Sequence, residues 1–176
     1  MQSSYLKRLE AGNQRYLSAE RYLGDISPEK RRQTAESGQC PFAAVVACSD
    51  SRVIPEAIFD CGIGEIFTIR TAGNTIGEHE LGSILYAVRH LHVGLVVVLG
   101  HTCCGAVAAA ISGCSEDHIR ALTDAVKSNI GIECDPKAAA ILNAKAGAEY
   151  IKAYVDEGVQ VKAALYDTNT GEVIFY

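Results

Sequence analysis

The segment GLVVVLGH (94–101) places five consecutive apolar residues between two glycines. A short run of this kind, rich in valine, is typical of a strand buried on both faces, as strands are in a parallel sheet. It is far shorter than the roughly 20 apolar residues that a membrane-spanning helix needs. The segment therefore predicts a central strand in a sheet that is covered by helices on both sides.

Strand-like and helix-like segments alternate along the chain. Strands are predicted over 41–49, 65–71 and 95–101. Helices are predicted over 4–23 (interrupted around Gly12), 26–37 (starting at Ser27 and Pro28), 55–62, 78–92, 105–113 and 146–158. The tail 159–176 is typical of two strands joined by the turn DTNTG. This order predicts an α/β fold with a mainly parallel β-sheet flanked by helices, and it is compatible with an antiparallel edge strand at the C-terminus.

The length and the absence of a linker favour one domain over 1–176, with an N-terminal helical arm (1–36) and an α/β core (37–176). The net charge is −5, and no run of Lys or Arg indicates a nucleic-acid surface. Charged residues stand in 1–16 where a signal peptide has its apolar core. We therefore expect a cytoplasmic protein that binds neither nucleic acid nor a membrane.

The seven cysteines are an odd number in an acidic chain, which argues against a disulfide framework. Cys48 ends one predicted strand, and His101 and Cys104 follow another, three positions apart. Because the carboxyl ends of parallel strands converge, these side chains are expected to meet. Two thiolates and one imidazole suit one Zn²⁺ per chain with a fourth position left for water. The ordinary alternative is that each cysteine is a small buried apolar residue.

Asp50 and Arg52 lie two positions apart, directly after Cys48. If the loop lets them meet, arginine can hold the carboxylate in a bidentate fork. The carboxylate would then stay ionised and away from the metal, where it could accept a hydrogen bond from water. A structural ion pair in a loop is the ordinary alternative.

The segments CSDSRVIPEAIF, RTAGN, LGSILYAVRHLHV and VVVLGHTCCGAV together resemble the β-class carbonic anhydrases. That family's hallmarks, C-x-D-x-R and H-x-x-C, are both present in order. The resemblance is to the plant-like subtype, with a chain as short as the compact bacterial and archaeal members. It implies that Cys48, His101 and Cys104 are zinc ligands and that Asp50 and Arg52 are the catalytic pair.

The same resemblance implies four substrate contacts. These are Gln39, Phe67, Tyr86 and the backbone N–H of Gly105. Without the resemblance, Gln39 is an ordinary loop residue, and Phe67 and Tyr86 are ordinary core residues of a strand and a helix. Val45 stands where some bacterial members have the tryptophan of an inhibitory bicarbonate site, which favours the plant-like subtype.

The function implied is that of a zinc lyase, the reversible hydration of CO₂ to bicarbonate and a proton. The resemblance also implies a homodimer or a dimer of dimers, with the N-terminal helix as an interlocking arm. Two alternatives remain open from the residues. One is hydrolysis of another small heteroallene, such as carbon disulfide, on the same zinc site. The other is a non-catalytic zinc or thiol redox protein that uses TCC at 102–104. No role is assigned to the remaining cysteines, which are Cys40, Cys61, Cys103, Cys114 and Cys134.

Overall fold

A computed structural model of the chain describes residues 2–18, 24–114 and 116–176. Its helices are α1 (Gln2–Ser18), α2 (Pro28–Ser37), α3 (Pro55–Ile58), α4 (Glu78–His90), α5 (Gly105–Ser112), α6 (Arg120–Ile130) and α7 (Pro136–Lys152). Its strands are β1 (Ala43–Cys48), β2 (Ile66–Thr71), β3 (Leu95–His101), β4 (Gln160–Tyr166) and β5 (Val173–Phe175). A 3-10 turn (Ala72–Asn74) follows β2. Within the described ranges, no helix has the length and apolarity to cross a membrane.

The five strands form one sheet in the order β2-β1-β3-β4-β5. The first four strands are parallel, and β5 is antiparallel to β4. The predicted α/β class and the antiparallel C-terminal edge are therefore confirmed. After β1 the chain adds β2 on one side and later β3 on the other, so the strand order reverses between β1 and β3. Loops that leave such a reversal point diverge and open a crevice at the carboxyl ends of the strands.

Residues of β1 and β3 are buried on both faces of the sheet, as the apolar run predicted. On one face, Val45 packs in a cluster with Leu9 of α1 and Phe59 after α3. On the other face, Val46 packs in a cluster with Ile84 of α4 and Ile151 of α7. Helices thus cover both faces of the central strands, which leaves the strand ends as the place where polar side chains can converge.

The predicted interruption of the first helix at Gly12 is wrong, because α1 runs through this residue. The part of that prediction over 19–23 lies outside the described residues. A Cβ atom at Gly12 would lie 1.9 Å from the carbonyl oxygen of Phe59. Glycine is therefore present here because α1 crosses the chain after α3 at very close range, not because the helix ends.

The other differences concern helix boundaries. The predicted helix over 55–62 ends at Ile58, and the one over 146–158 occupies 136–152. The sequence carries a clear start signal for α7. The side chain of Asp135 accepts a hydrogen bond from the N–H of Ala138, and a proline follows at the first helical position. Ser27 caps α2 in the same way, and that prediction is confirmed.

Helix α6 was not predicted at all. Its buried residues are Thr123, Val126 and Ile130, which are spaced by three and four positions. That spacing is the signature of a helix with one apolar face. The surrounding polar residues and the lack of a side-chain cap at Ile119 weaken the signal.

We expect Gly12→Ala to destabilise the fold. Alanine favours a helix by about 1 kcal/mol over glycine, but here its methyl group would overlap a backbone carbonyl that cannot swing away. The net free energy of unfolding should fall by at least about 2 kcal/mol, measured by urea unfolding. Gln14→Ala, an exposed change on the same helix, is the matched control and should change little. A Gly12→Ala protein as stable as the wild type would contradict this packing.

Candidate metal centre

Three side chains from two strand ends and one helix start meet at the carboxyl edge of the sheet. Cys48 ends β1, His101 ends β3, and Cys104 directly precedes α5. Their ligand atoms all lie within 4.8 Å of one another, and all three residues are buried. Donors around a tetrahedral zinc ion lie roughly 3.3–3.8 Å apart. The cluster therefore has the donor types of a zinc site, and its donor atoms lie close enough together to be candidates for binding one ion.

The imidazole of His101 is oriented for a metal. Its Nδ1 lies 2.9 Å from the carbonyl oxygen of Thr102, which makes Nδ1 the protonated nitrogen and leaves a lone pair on Nε2. Nε2 is buried and has no hydrogen-bond partner among the described residues. A buried polar atom without a partner destabilises the fold. A metal ion at the cluster would satisfy it.

The sulfur of Cys48 lies in a setting that favours a thiolate. The backbone N–H groups of Asp50 and Gly73 donate to it, with N–S distances of 3.4 and 3.2 Å. The pKa of Cys48 is lowered, first by the thiol of Cys104 and then by His101 and these two amides, although burial opposes the shift. The same contact raises the pKa of Cys104. The two sulfurs thus interact directly, and each shifts the pKa of the other.

Asp50 and Arg52 form the expected fork. Arg52 Nε lies 3.0 Å from Asp50 Oδ1, and Arg52 Nη2 lies 2.7 Å from Asp50 Oδ2. The Arg52 guanidinium holds the pKa of Asp50 well below its usual range. Among the described residues, the group of mutually close ligand atoms does not include the Asp50 carboxylate. The aspartate therefore stands ionised beside the metal cluster and not within it.

Two further contacts hold this loop, and the sequence analysis missed both. Arg70, near the end of β2, donates through Nε to the carbonyl oxygen of Cys48 (3.1 Å) and through Nη2 to that of Asp50 (2.7 Å). Arg52 Nη2 also donates to the carbonyl oxygen of Cys103 (3.1 Å), whose φ of 56° lies in the left-handed region. A charged residue near the carboxyl end of a parallel strand was the available signal for Arg70.

The structure does not bring all predicted substrate contacts to the cluster. Gly105 is the first residue of α5, directly after Cys104, and so it lies at the site. Phe67 pairs with Ala44 at the opposite end of β1, four strand residues or about 13 Å from Cys48. The ring of Tyr86 lies 6.2 Å from that of Phe67.

Gln39 is exposed and precedes the start of β1. Gln39, Phe67 and Tyr86 are thus remote from the metal cluster of their own chain.

All seven cysteines belong to the described residues, and none of them forms a disulfide. Cys61 is buried away from the cluster, and burial raises its pKa to about 12. Cys103 is exposed whereas its neighbour Cys104 is buried in the cluster. The adjacent pair therefore does not act as one unit, which disfavours the redox alternative for TCC at 102–104.

Comparison with known proteins points to the same family that the sequence motifs resemble. A family model described as carbonic anhydrase matches residues 43–173. Carbonic anhydrase 2 of Mycobacterium tuberculosis is 46% identical over 110 residues, which is 62% of this chain and 53% of that protein. The carbonic anhydrase of Mycolicibacterium smegmatis is 44% identical over 113 residues, 64% of this chain and 54% of that protein. The matched region thus spans about half the length of these relatives.

Solved structures share the fold. The β-carbonic anhydrase CafA of Aspergillus fumigatus has a TM-score of 0.75 at 30% identity, covering 85% of this chain and 81% of that one. A β-carbonic anhydrase of Sordaria macrospora, described as tetrameric, has a TM-score of 0.70 at 27% identity, covering 85% and 86%.

The donor set predicts one tightly bound Zn²⁺ per chain. Cys48→Ser removes a thiolate donor, so the zinc affinity should fall by at least about 100-fold, measured by competition with a chelator and by elemental analysis. Cys61→Ser is the matched control, since it changes a buried cysteine whose thiol donates to the carbonyl oxygen of Phe59 away from the cluster. Equal loss of zinc in both variants would contradict the assignment.

Proposed function

Because the chain belongs to the β class of the carbonic anhydrase family, we propose that it catalyses the reversible hydration of CO₂ to bicarbonate and a proton. The observation that carries this proposal is the convergence of Cys48, His101 and Cys104 beside the ionised Asp50–Arg52 pair. Family membership and site geometry support the same chemistry independently.

Cys48, His101 and Cys104 would hold Zn²⁺. The ion, when bound, acts as a Lewis acid that makes water nucleophilic near neutral pH. Three protein donors complete only part of a tetrahedral shell, which is the arrangement of catalytic zinc sites. The buried setting of all three donors keeps bulk water from competing for them.

Asp50 orients the attacking water. Its carboxylate is held ionised by Arg52, so it accepts a hydrogen bond from that water and turns a lone pair towards the substrate carbon. Arg52 binds both carboxylate oxygens and the carbonyl oxygen of Cys103, and so it fixes the direction in which Asp50 accepts. The N–H of Gly105, in the first turn of α5, has no partner within the helix and can donate to the oxygen on which negative charge develops.

A second copy of the chain completes the site in this proposal. Phe67 and Tyr86 form an apolar pair that suits uncharged CO₂, and Gln39 offers a carboxamide. All three are remote from their own metal cluster, so their proposed role requires them to face the cluster of a partner. Helix α2, just before Gln39, buries none of its residues within the chain, which leaves it available to contact a partner. We propose a homodimer, alone or paired into a tetramer.

We also propose that the protein works in the cytoplasm. Seven cysteines without a disulfide among the described residues, three of them exposed, suit a reducing compartment.

Asp50→Asn should abolish most of the activity while zinc remains bound. The amide presents a donor in place of an acceptor and leaves Arg52 without its counter-charge, so kcat/KM for CO₂ hydration should fall by about 100-fold or more. Stopped-flow assays with a pH indicator measure this, with elemental analysis for zinc. Asp124→Asn, an exposed change on α6, is the control. Zinc-loaded wild-type protein that hydrolyses carbon disulfide but does not hydrate CO₂ would overturn the proposal.

Complementation tests the two-chain site. Gln39→Ala and Cys48→Ser should each be weakly active alone, since one damages the contact given to the partner and the other damages the metal centre. In a two-fold dimer, each mixed dimer regains one intact site. Random exchange of subunits should therefore restore about a quarter of the wild-type activity. If mixing restores none although mass spectrometry shows mixed dimers, the pocket does not come from a partner.

A further inference from the structure

Behind the metal cluster, two carboxamides bridge helices α6 and α7 to the 3-10 turn. Asn143 of α7 is 2% exposed, and its Nδ2 donates to the carbonyl oxygen of Gly73 at 2.8 Å. Its Oδ1 accepts from Nδ2 of Asn129 on α6 at 2.9 Å. On the same helix, Ala140 and Ala144 are buried next to it. A carboxamide among such residues destabilises the fold unless its hydrogen bonds are made, and here both ends of the Asn143 amide are used.

Gly73 connects this pair of amides to the metal ligand. Its N–H donates to the sulfur of Cys48 at 3.2 Å, while its carbonyl oxygen is held by Asn143. The residue adopts a φ of 67° and a ψ of 22°, which glycine reaches without strain. A Cβ atom here would lie 2.8 Å from Cβ of Ala106 and 3.3 Å from Cγ2 of Val126. Only glycine fits at this position, and glycine is also the residue whose backbone torsions are least restricted.

Because the backbone torsions of Gly73 are free, other residues must hold its two peptide groups in place. The N–H that faces Cys48 and the C=O that faces Asn143 belong to different peptide planes, joined only by the two torsions of Gly73. If the carbonyl lost its donor, both torsions would relax and the N–H would drift from the sulfur. A fixed N–H donor is what orients a thiolate for a metal and tunes its donation.

We propose that Asn143, oriented by Asn129, is a positioning residue that holds the N–H of Gly73 on the sulfur of Cys48 and so sets the strength of metal binding. The inference rests on the proposed zinc site but not on the proposed reaction. The side-chain hydrogen bonds of Asn143 are to Asn129 and Gly73, so in this proposal it acts on the metal ligand through Gly73. The competing explanation is that the two asparagines merely hold α6 and α7 against each other.

The test compares Asn143→Leu with Ile151→Ala in zinc-loaded protein. Leucine has the same number and branching of side-chain heavy atoms as asparagine, but it neither donates nor accepts a hydrogen bond. Ile151 is buried on the same helix, eight residues or about 12 Å further along, and its truncation destabilises the core without reaching Gly73. Two quantities are measured for each variant, which are the hydrogen-exchange rate of the Gly73 amide by NMR and the zinc dissociation constant by chelator competition.

We expect Asn143→Leu to raise the Gly73 exchange rate and the zinc dissociation constant by about tenfold each. Ile151→Ala should lower Tm. It should leave the zinc dissociation constant unchanged and raise the Gly73 exchange rate only as far as the lower stability of the fold accounts for. Exchange and zinc affinity that stay at wild-type values in folded Asn143→Leu would overturn the proposal and leave the asparagines a packing role.

A milder variant decides the matter if Asn143→Leu does not fold. Asn129→Ala leaves Asn143 in place but frees its orientation, and it should raise the Gly73 exchange rate about threefold. Ser128→Ala, at an exposed neighbouring hydroxyl that bonds only within α6, is its control. If the Gly73 exchange rate of Asn129→Ala equals that of this control, the proposal is overturned. Neither readout uses CO₂, so wild-type protein that binds zinc without hydrating CO₂ would refute the proposed function and leave this inference standing.

Discussion

Parallel pairing of β1 with β3 brings together side chains that the sequence keeps far apart. Ala47 lies opposite Leu99 in this pairing, so Cys48 and His101 leave the sheet at the same edge. The pairing also lies where the strand order reverses, so the two following loops separate and open a crevice. Cys104 then needs only one turn of backbone to reach the same point. The site depends on this register, since a shift of either strand by one residue would turn the ligand on that strand to the other face of the sheet.

The buried cluster is a poor arrangement for a protein without a metal. The two cysteine sulfurs lie close enough to shift each other's pKa, and Nε2 of His101 has no hydrogen-bond partner among the described residues. Such groups oppose folding unless a ligand satisfies them. Residues that lower the stability of the fold are expected at functional sites. Hydrogen bonds in the surrounding loop offset part of this destabilisation, because Arg70 and Arg52 together hold the backbone carbonyl groups of Cys48, Asp50 and Cys103.

The central strands and the metal cluster could be predicted because both depend on local patterns. Buried strands are marked by valine runs, and ligands by their residue types at strand ends. Features that depend on distant contacts could not be predicted. Gly12 suggested a break because no local pattern shows the carbonyl of Phe59 against it. Likewise, motif positions placed Phe67 in a substrate pocket, but only the strand register shows that Phe67 lies at the end of the sheet opposite the metal cluster of its own chain.

The hydrogen bonds behind Cys48 show why a metal site of this kind needs more of the fold than its motifs. The sulfur accepts from Asp50, within its own motif, and from Gly73, which follows another strand. Gly73 is in turn held by Asn143 from a helix that begins after all the ligands. The motif residues therefore supply the donor atoms, whereas the hydrogen bonds that hold one of these donors extend to a helix that carries no motif. A chain with both motifs but a different α6–α7 pair would be expected to bind the same metal with a different affinity.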